Sequence, residues 1–475
     1  MKTVCIMGGG LGGLVTGALL AREGFVVTVL EKNNAVGGGL QSFRRGRYTF
    51  DTGMHIFGGM GENGQLRLIL RHLGIEDKLQ LDTRTEVLVD TASGRLTTLP
   101  TGRDAWVSQF PKLRSYLDRL YHLTLQEPLY NMQASLDGST IPDMSLSVGD
   151  LMADIDRTMS HISILYDACA DSPALLHALI ACSHIDGVHS FRHNSSDLAN
   201  LLCTVIEDAG GKVMTGEEVT NIVAAGRKVE YIQTTNNSYS ADCYISDIPI
   251  GKFIQLAPHS VFSPATHSRI VNAKYTASAF LLFIGLKPKS LPYNREVFFV
   301  SDDGQSPWFY ADYSECHWPK AAFALPHQDD LNPGYADTVK VVCPISYDAV
   351  SQWTNSTVGH RPPDYYGWKE LMATRILAFL APLGIAGDAI QLLETASPLT
   401  IRDYYGVPRG ALYGIKPLSS QPLQTAFTPH TRLTNLFLTG QDINFHGMIG
   451  TSLSAILTAE SIVGRNTIVK QLIKQ

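Results

Sequence analysis

Gly8-Gly9-Gly10-Leu11-Gly12-Gly13 is the stretch on which the reading of this 475-residue chain turns. Gly8, Gly10 and Gly13 make the pattern GxGxxG. The apolar run Thr3 to Met7 in front of it reads as a strand. Leu14 to Arg22 behind it has helical spacing and stops at Gly24, and Phe25 to Leu30 is a β-branched strand that ends on Glu31. Strand, glycine turn, helix and strand make a compact βαβ unit. The first glycine permits the tight turn, the second lets a pyrophosphate approach the backbone, and the third lets helix and strand pack closely. N–H groups at the helix start, Leu11 and Gly12 among them, then face the phosphates, where the helix dipole favours negative charge. Glu31 is placed to accept hydrogen bonds from the hydroxyls of an adenosine ribose. The pattern implies a dinucleotide without separating a flavin from a nicotinamide.

The rest of the N-terminus fits this unit better than it fits a signal peptide. Lys2 precedes an apolar run to Leu20, but Gly8, Gly9, Gly10, Gly12 and Gly13 interrupt the run and no small-residue cleavage site flanks it. Elsewhere no apolar run of about 18 residues or more occurs, so no transmembrane helix is expected. The composition, 44% hydrophobic and 17% charged, is that of a globular protein, and the length favours two domains. A formal net charge of -6 and a pI of about 6.2 lack the basic footprint of a nucleic-acid binder. Cys5, Cys169, Cys182, Cys203, Cys243, Cys316 and Cys343 are too dispersed for a zinc signature or a disulfide framework. They read as reduced thiols of a cytoplasmic protein.

Beyond the first unit, Trp106, Phe110, Leu113, Leu117, Leu120 and Leu123 recur at helical steps between Asp104 and Leu125. A polar loop follows around Ser135 to Gly149, then more helical pattern from Leu151 to Ala181. Leu198 to Ala209 reads as a helix closed by Gly210 and Gly211. Lys212 to Met214, Val219 to Val223, Lys228 to Thr234 and Ala241 to Ile245 read as strands that extend the nucleotide-binding sheet. A second sheet is expected from Ser278 to Leu286, Glu296 to Ser301, Trp308 to Asp312, Ala321 to Ala324 and Thr338 to Val342, with a helix from Trp368 to Leu380. Leu436 to Thr439, a glycine turn and a helix from Thr451 to Val463 close the chain.

Two further segments carry a resemblance. Glu31-Lys32 leads into Gly37-Gly38-Gly39, which is similar to the second signature of the glutathione-reductase-like FAD superfamily. An Arg often follows that glycine pair; here Arg44 or Arg45 is the candidate to supply the charge. Near the C-terminus, Gly440-Gln441 runs into His446-Gly447-Met448 and Gly450. This HGMxG core, together with Asp51-Thr52-Gly53-Met54-His55, Ser397 to Thr400, Tyr405-Gly406 and Gly410 to Gly414, resembles carotenoid (phytoene) desaturases, carotenoid isomerases and retinol saturases. The segment Ser190 to Ser196 departs from that family, which carries a glycine pair there.

The resemblance implies an α/β chain: a glutathione-reductase-like Rossmann FAD-binding domain with a second α+β substrate domain. We expect residues 1–90, 186–260 and 400–475 in the FAD domain and 91–185 and 261–399 in the substrate domain. The implied cofactor is FAD, bound by Gly8, Gly10, Leu11, Gly12, Gly13, Glu31, Lys32, Gly38, Gly39, Gly440, Gln441, Gly447, Met448 and Gly450. No second GxGxxG unit occurs in a strand–helix context, so a dedicated NAD(P)H domain is not expected. The implied activity is desaturation, saturation or isomerisation of carbon–carbon bonds in an apolar isoprenoid or polyene. An amine or porphyrinogen oxidase on the same scaffold and a flavin-free isoprenoid-binding relative remain alternatives. Histidine titrates near neutral pH, which makes His446 and His55 the candidate catalytic residues. Arg402, Tyr404, Tyr405 and Tyr413 are expected near the flavin ring, and Asp442 as a base or a turn cap. The apolar helix from Trp106 to Leu123 is expected to touch a membrane surface.

Overall fold

Parallel pairing of Thr3–Met7 with Val26–Glu31 on one side and Cys243–Ser246 on the other organises the first part of the structure. The computed structural model describes the chain except for Met54 and residues 126, 128–131, 133–144, 153–159, 302–307, 309, 315–316, 386, 444 and 475. Lys212–Thr215 adds outside Val26–Glu31, and Leu436–Leu438 outside Cys243–Ser246, giving five parallel strands. A parallel sheet has to be covered on both faces. Val4 and Ile6 point into a core with the helices Leu11–Arg22, Ser196–Asp208 and Gly447–Val463, whereas Cys5 and Met7 point into the opposite one.

That opposite layer is an antiparallel sheet of Val219–Ala225, Lys228–Thr234 and Ser238–Tyr239. These strands were expected to extend the nucleotide-binding sheet, and only Lys212–Thr215 and Cys243–Ser246 do so. The two-residue turn Gly226-Arg227, with Gly226 at φ 57°, folds the first pair directly onto each other. The parallel strands to either side of Thr3–Met7 are reached in opposite directions, so a crevice opens at the carboxyl ends of Thr3–Met7 and Cys243–Ser246. Ligands of such sheets bind in that crevice.

The second sheet contains the expected strands Ser278–Leu286 and Glu296–Ser301, and longer versions of two others, Ala321–Gln328 and Ala336–Ile345. Ile390–Ala396 closes one edge. At the other, Leu81–Asp90 lies parallel to Glu296–Ser301, and Val188–Phe191 and Leu96–Thr98 pair with it. The division at residues 90 and 186 therefore does not follow the hydrogen bonding, because Leu81–Asp90 and Val188–Phe191 are strands of the second sheet. Phe280, Leu282 and Ile284 face the helix Pro363–Phe379, while Leu281, Phe283 and Val342 face the hairpin Ser42–Arg45/Tyr48–Asp51 and the first unit. The strand expected at Trp308 to Asp312 is absent among the described residues: 309 lies outside them, and Tyr310 and Ala311 form a turn.

In the helical segment, the single helix expected from Asp104 to Leu125 is two, Arg103–Gln109 and Arg114–Thr124. Pro111 separates them, since it lacks an N–H donor and its ring blocks the preceding turn. Trp106, Leu113, Leu117, Leu120 and Leu123 are all buried against the helix Ala174–Ile185. The stripe expected to meet a membrane is thus an interior surface. The loop expected from Ser135 to Gly149 and the helical pattern at 153–159 fall largely outside the described residues; Ser160–Tyr166 beyond them is helical. No described helix is long and apolar enough to cross a membrane.

Candidate active site

Four chain segments reach the crevice, each at or just past the carboxyl end of a different parallel strand: Gly8 to Gly13, Glu31, Asp247 and Gly440-Gln441. Gly8 has φ 105°, outside the range that side chains favour, and its N–H donates to the Leu30 carbonyl at 2.8 Å. A Cβ on Gly13 would stand 2.2 Å from the Gly8 carbonyl oxygen, and one on Gly12 would stand 2.7 Å from the Gly440 Cα. Gly13 therefore serves packing, while Gly8, Gly10, Leu11 and Gly12 line the crevice. The second glycine cluster is locked onto the first, with the Gly37 N–H on the Gly9 carbonyl at 2.7 Å. Gly38 and Gly39 line the same wall.

Glu31 is buried. One carboxylate oxygen accepts the Gly9 N–H at 3.0 Å and the other the Asn33 N–H at 2.8 Å. A carboxylate has about four acceptor positions, so ribose hydroxyls still find sites there. Lys32 lines the crevice beside Lys252, and burial pulls its ammonium below the usual lysine range. Arg44 and Arg45 do not supply the expected charge. Arg44 donates to the Gly46 carbonyl at 2.9 Å and Arg45 pairs with Glu394 at 3.3 Å, on the surface of the hairpin.

Asp247 is the residue that sequence reasoning missed. Its carboxylate lies against the glycine turn, with Oδ2 3.3 Å from where a Cβ on Gly13 would stand. It fills the small space where a Cβ on Gly10, Gly12 or Gly440 would come within 2.6, 2.4 and 2.4 Å of its oxygens. Burial, with Glu31 and Asp442 nearby, pushes its carboxyl up to about 7. An acid at the carboxyl end of a short apolar strand, before Pro249, was the available signal.

A second cavity adjoins the crevice, and Gly53, His55, Val342, Leu412, Tyr413 and Gly447 belong to the walls of both. Its own walls are mostly apolar, with Ile164, Leu165, Ile180, Phe323, Met448 and Ile449. His446 immediately precedes the helix Gly447–Val463 and lies 4.9 Å from the Tyr413 ring and 5.9 Å from the Tyr166 ring. Its Nε2 is buried without a hydrogen-bond partner, and burial lowers its pKa to about 4. His55 stacks on Phe323 at 5.9 Å. Tyr404 and Tyr405 line the crevice, and burial pushes the Tyr405 phenol up to about 12.

Several candidates act elsewhere. Arg402 turns away, to Tyr347 Oη at 2.9 Å and the Thr354 carbonyl at 2.6 Å. Gly450 lines neither cavity, since a Cβ there would lie 2.6 Å from the Phe445 Cβ. Asp442 borders the crevice but is a brace: its carboxylate accepts the Ile250 N–H at 2.9 Å and the Ile415 N–H at 3.2 Å. The Ser190 to Ser196 segment lines neither cavity; Ser195 N–H donates to Asp51 at 2.8 Å and its hydroxyl to the Leu40 carbonyl at 2.9 Å. A buried pair that no sequence spacing betrays, His184 Nδ1 and Glu86 Oε1 at 2.7 Å, brings His184 to the apolar cavity.

The long crevice, lined by glycine backbone where a diphosphate would lie and acidic where a ribose would lie, fits a dinucleotide. Residues 11–307 match the family model described as flavin containing amine oxidoreductase. All-trans-retinol 13,14-reductase of Danio rerio is 24% identical, over 97% of this chain and 86% of that protein. Prolycopene isomerase 2 of an Oncidium hybrid cultivar is 22% identical, over 96% and 83%. A crystal structure of an oxidoreductase from Methanosarcina mazei superposes with a TM-score of 0.62 at 15% identity, over 96% of this chain and 99% of the other. This likeness reports the fold, and the Rossmann-type α/β architecture is the one expected. The family match spans more than half of the chain, which therefore belongs to the flavin-containing amine oxidoreductase family and is an FAD-dependent oxidoreductase.

Proposed function

We propose that this enzyme acts on carbon–carbon bonds of an apolar isoprenoid or polyene, by desaturation, saturation or isomerisation. The observation that carries the reading is the continuity of the apolar cavity with the cofactor crevice through Gly53, His55, Val342, Leu412, Tyr413 and Gly447. Among the described residues the cavity wall has one carboxylate, Asp167, and Lys416 Nζ neutralises it at 2.8 Å. That leaves little to hold an ammonium group and suits a hydrocarbon. The names of the retinol reductase and prolycopene isomerase relatives point the same way.

Bound FAD supplies two-electron chemistry at its flavin ring. The chain's own residues then take the following parts. N–H groups at Gly10, Leu11 and Gly12 meet the diphosphate, and Glu31 accepts from the adenosine ribose. Lys32, Gly38 and Gly39 border the cofactor along its length. Gly440, Gln441 and Gly447 would border its flavin end, where the start of the helix Gly447–Val463 favours negative charge, with Met448 on the side of the apolar cavity. His446 lines the apolar cavity beside the junction as a neutral imidazole, suited to accept a proton or to orient the substrate. His55 is the second histidine at that junction. Apolar walls exclude water from the reacting carbons.

The test is anaerobic incubation of the FAD-loaded protein with a panel of retinoids, linear carotenoids and amines. Oxidised and reduced flavin are tried separately, and products are read by mass spectrometry and chromatography. Flavin bleaching by a polyene indicates desaturation, reoxidation of reduced flavin indicates saturation, and a change of double-bond geometry without net redox indicates isomerisation. Bleaching by amines with no response to any polyene would overturn the proposal.

A further inference from the structure

The diphosphate-binding turn already holds an anion of the protein's own. Asp247 follows the strand Cys243–Ser246, next to Thr3–Met7 in the sheet, so its side chain projects across the mouth of the glycine turn. Its carboxylate faces the backbone of Gly13 and Gly10, whose N–H groups favour the anion. Its oxygens sit so close over Gly10, Gly12 and Gly440 that not even a methyl group would fit beneath them. These are the positive ends of backbone dipoles on which a cofactor diphosphate is expected to rest.

Two negative species cannot share this small space cheaply: like charges in a water-poor site destabilise one another, and one of them is driven to take a proton. The flavin diphosphate stays ionised, leaving Asp247 as the group that can neutralise. A neutral carboxylic acid has an O–H to donate and so turns a repulsion into a hydrogen bond. We propose that Asp247 meets the FAD diphosphate as a neutral acid, so that the cofactor is taken up together with one proton and is held less tightly as the pH rises. The proposal rests on FAD being the cofactor.

The charged surroundings favour this. Glu31 at the end of Val26–Glu31 and Asp442 beyond Leu436–Leu438 both raise the carboxyl further, while the first turn of Leu11–Arg22 presents N–H groups and no charged side chain. Lys32 and Lys252 line the same crevice but face Glu218 and Asp403. Burial already brings Asp247 to about 7 before any cofactor arrives. A diphosphate raises it further, and by linkage the pH window of weakening affinity begins near that value and extends upward.

The experiment is FAD titration of the deflavinated full-length protein, read by flavin fluorescence at pH 6.5 and 8.5. Proton uptake is measured by calorimetry in buffers of different ionisation enthalpy. The wild type should bind FAD on the order of tenfold more weakly at pH 8.5 than at 6.5, with net uptake of a proton near pH 8. Asp247→Asn should bind with the same affinity at both pH values and without proton uptake. Equal wild-type affinity at the two pH values, or absence of proton uptake, would overturn the proposal. So would a pH slope that persists in Asp247→Asn, since that would assign the titration to Glu31 or Asp442. The wild-type measurements decide the matter even if the variant folds poorly. FAD binding that is tight but independent of pH leaves the cofactor assignment standing, whereas no binding at any pH removes both.

Discussion

Gly13 and His446 show how much a single position settles. A methyl group on Gly13 would run into the Gly8 carbonyl oxygen at 2.2 Å, and neither the turn nor the helix can yield without opening the crevice. Gly13→Ala should therefore destabilise the fold by about 1–3 kcal/mol, as overpacking does. It should also lower the fraction of protein purified with flavin, measured as the ratio of flavin to protein absorbance. His446 is held neutral by burial, at about 4 against an ordinary 6.5. Between those values the unfolded chain binds a proton that the folded chain refuses. This histidine's contribution to stability is present above pH 6.5 and is lost as the pH falls toward 4. The slope it adds is about 1.4 kcal/mol per pH unit within that window. Denaturant titrations at several pH values should find His446→Gln less sensitive to acid across it than the wild type, by about one proton.

Helix Ala174–Ile185 shows the same economy of polar groups within one element. Its His177 is fully internal and bridges two phenols, Tyr116 Oη on Nε2 and Tyr166 Oη on Nδ1, both at 2.7 Å. These bonds join it to Arg114–Thr124 and to Ser160–Tyr166, whose Tyr166 stacks beside His446. His177→Leu leaves two buried hydroxyls unsatisfied, at about 1–3 kcal/mol each. Chemical denaturation should report a loss of about 2–5 kcal/mol, while flavin absorbance survives because the helix does not touch the crevice. A change below about 0.5 kcal/mol would show that the bridge contributes nothing. The helix is otherwise so apolar that its neighbours, not its intrinsic periodicity, define which residues face inward.

Across the whole molecule, the two sheets meet at one seam, and Val342 stands in it. This residue lies on the central part of Ala336–Ile345 and belongs to the walls of both the crevice and the apolar cavity. An indole at that position should fill the seam from the substrate side. Val342→Trp is expected to retain FAD, as read from its absorbance, and to lower polyene turnover at least tenfold. Unchanged turnover would place the reacting carbons elsewhere. Beside the crevice, Asp442 acts as an acidic brace. It ties Ile250 and Ile415 to the flavin-side turn, so that the walls of the crevice are held from several directions.

The glycine turn, its strand and helix, and Glu31 were legible in the first 40 residues because their conformation depends on neighbours in the chain: absent side chains, β-branching, helical spacing. Four strands of the second sheet, Ser278–Leu286, Glu296–Ser301, Ala321–Gln328 and Ala336–Ile345, and the C-terminal helix were legible for the same reason, to within a few residues. Pro111 was visible as well, yet the apolar spacing across it masked the break. Asp247, Val342 and the Glu86–His184 pair were not legible, and Arg44, Arg45 and Arg402 were misplaced. Each of those assignments depends on which segments become neighbours in space. Residues 8, 31, 247 and 440 converge because four parallel strands end at one edge of a sheet. Pairing between segments hundreds of residues apart follows from burying both faces of that sheet at once, a condition on the folded whole that no local pattern encodes.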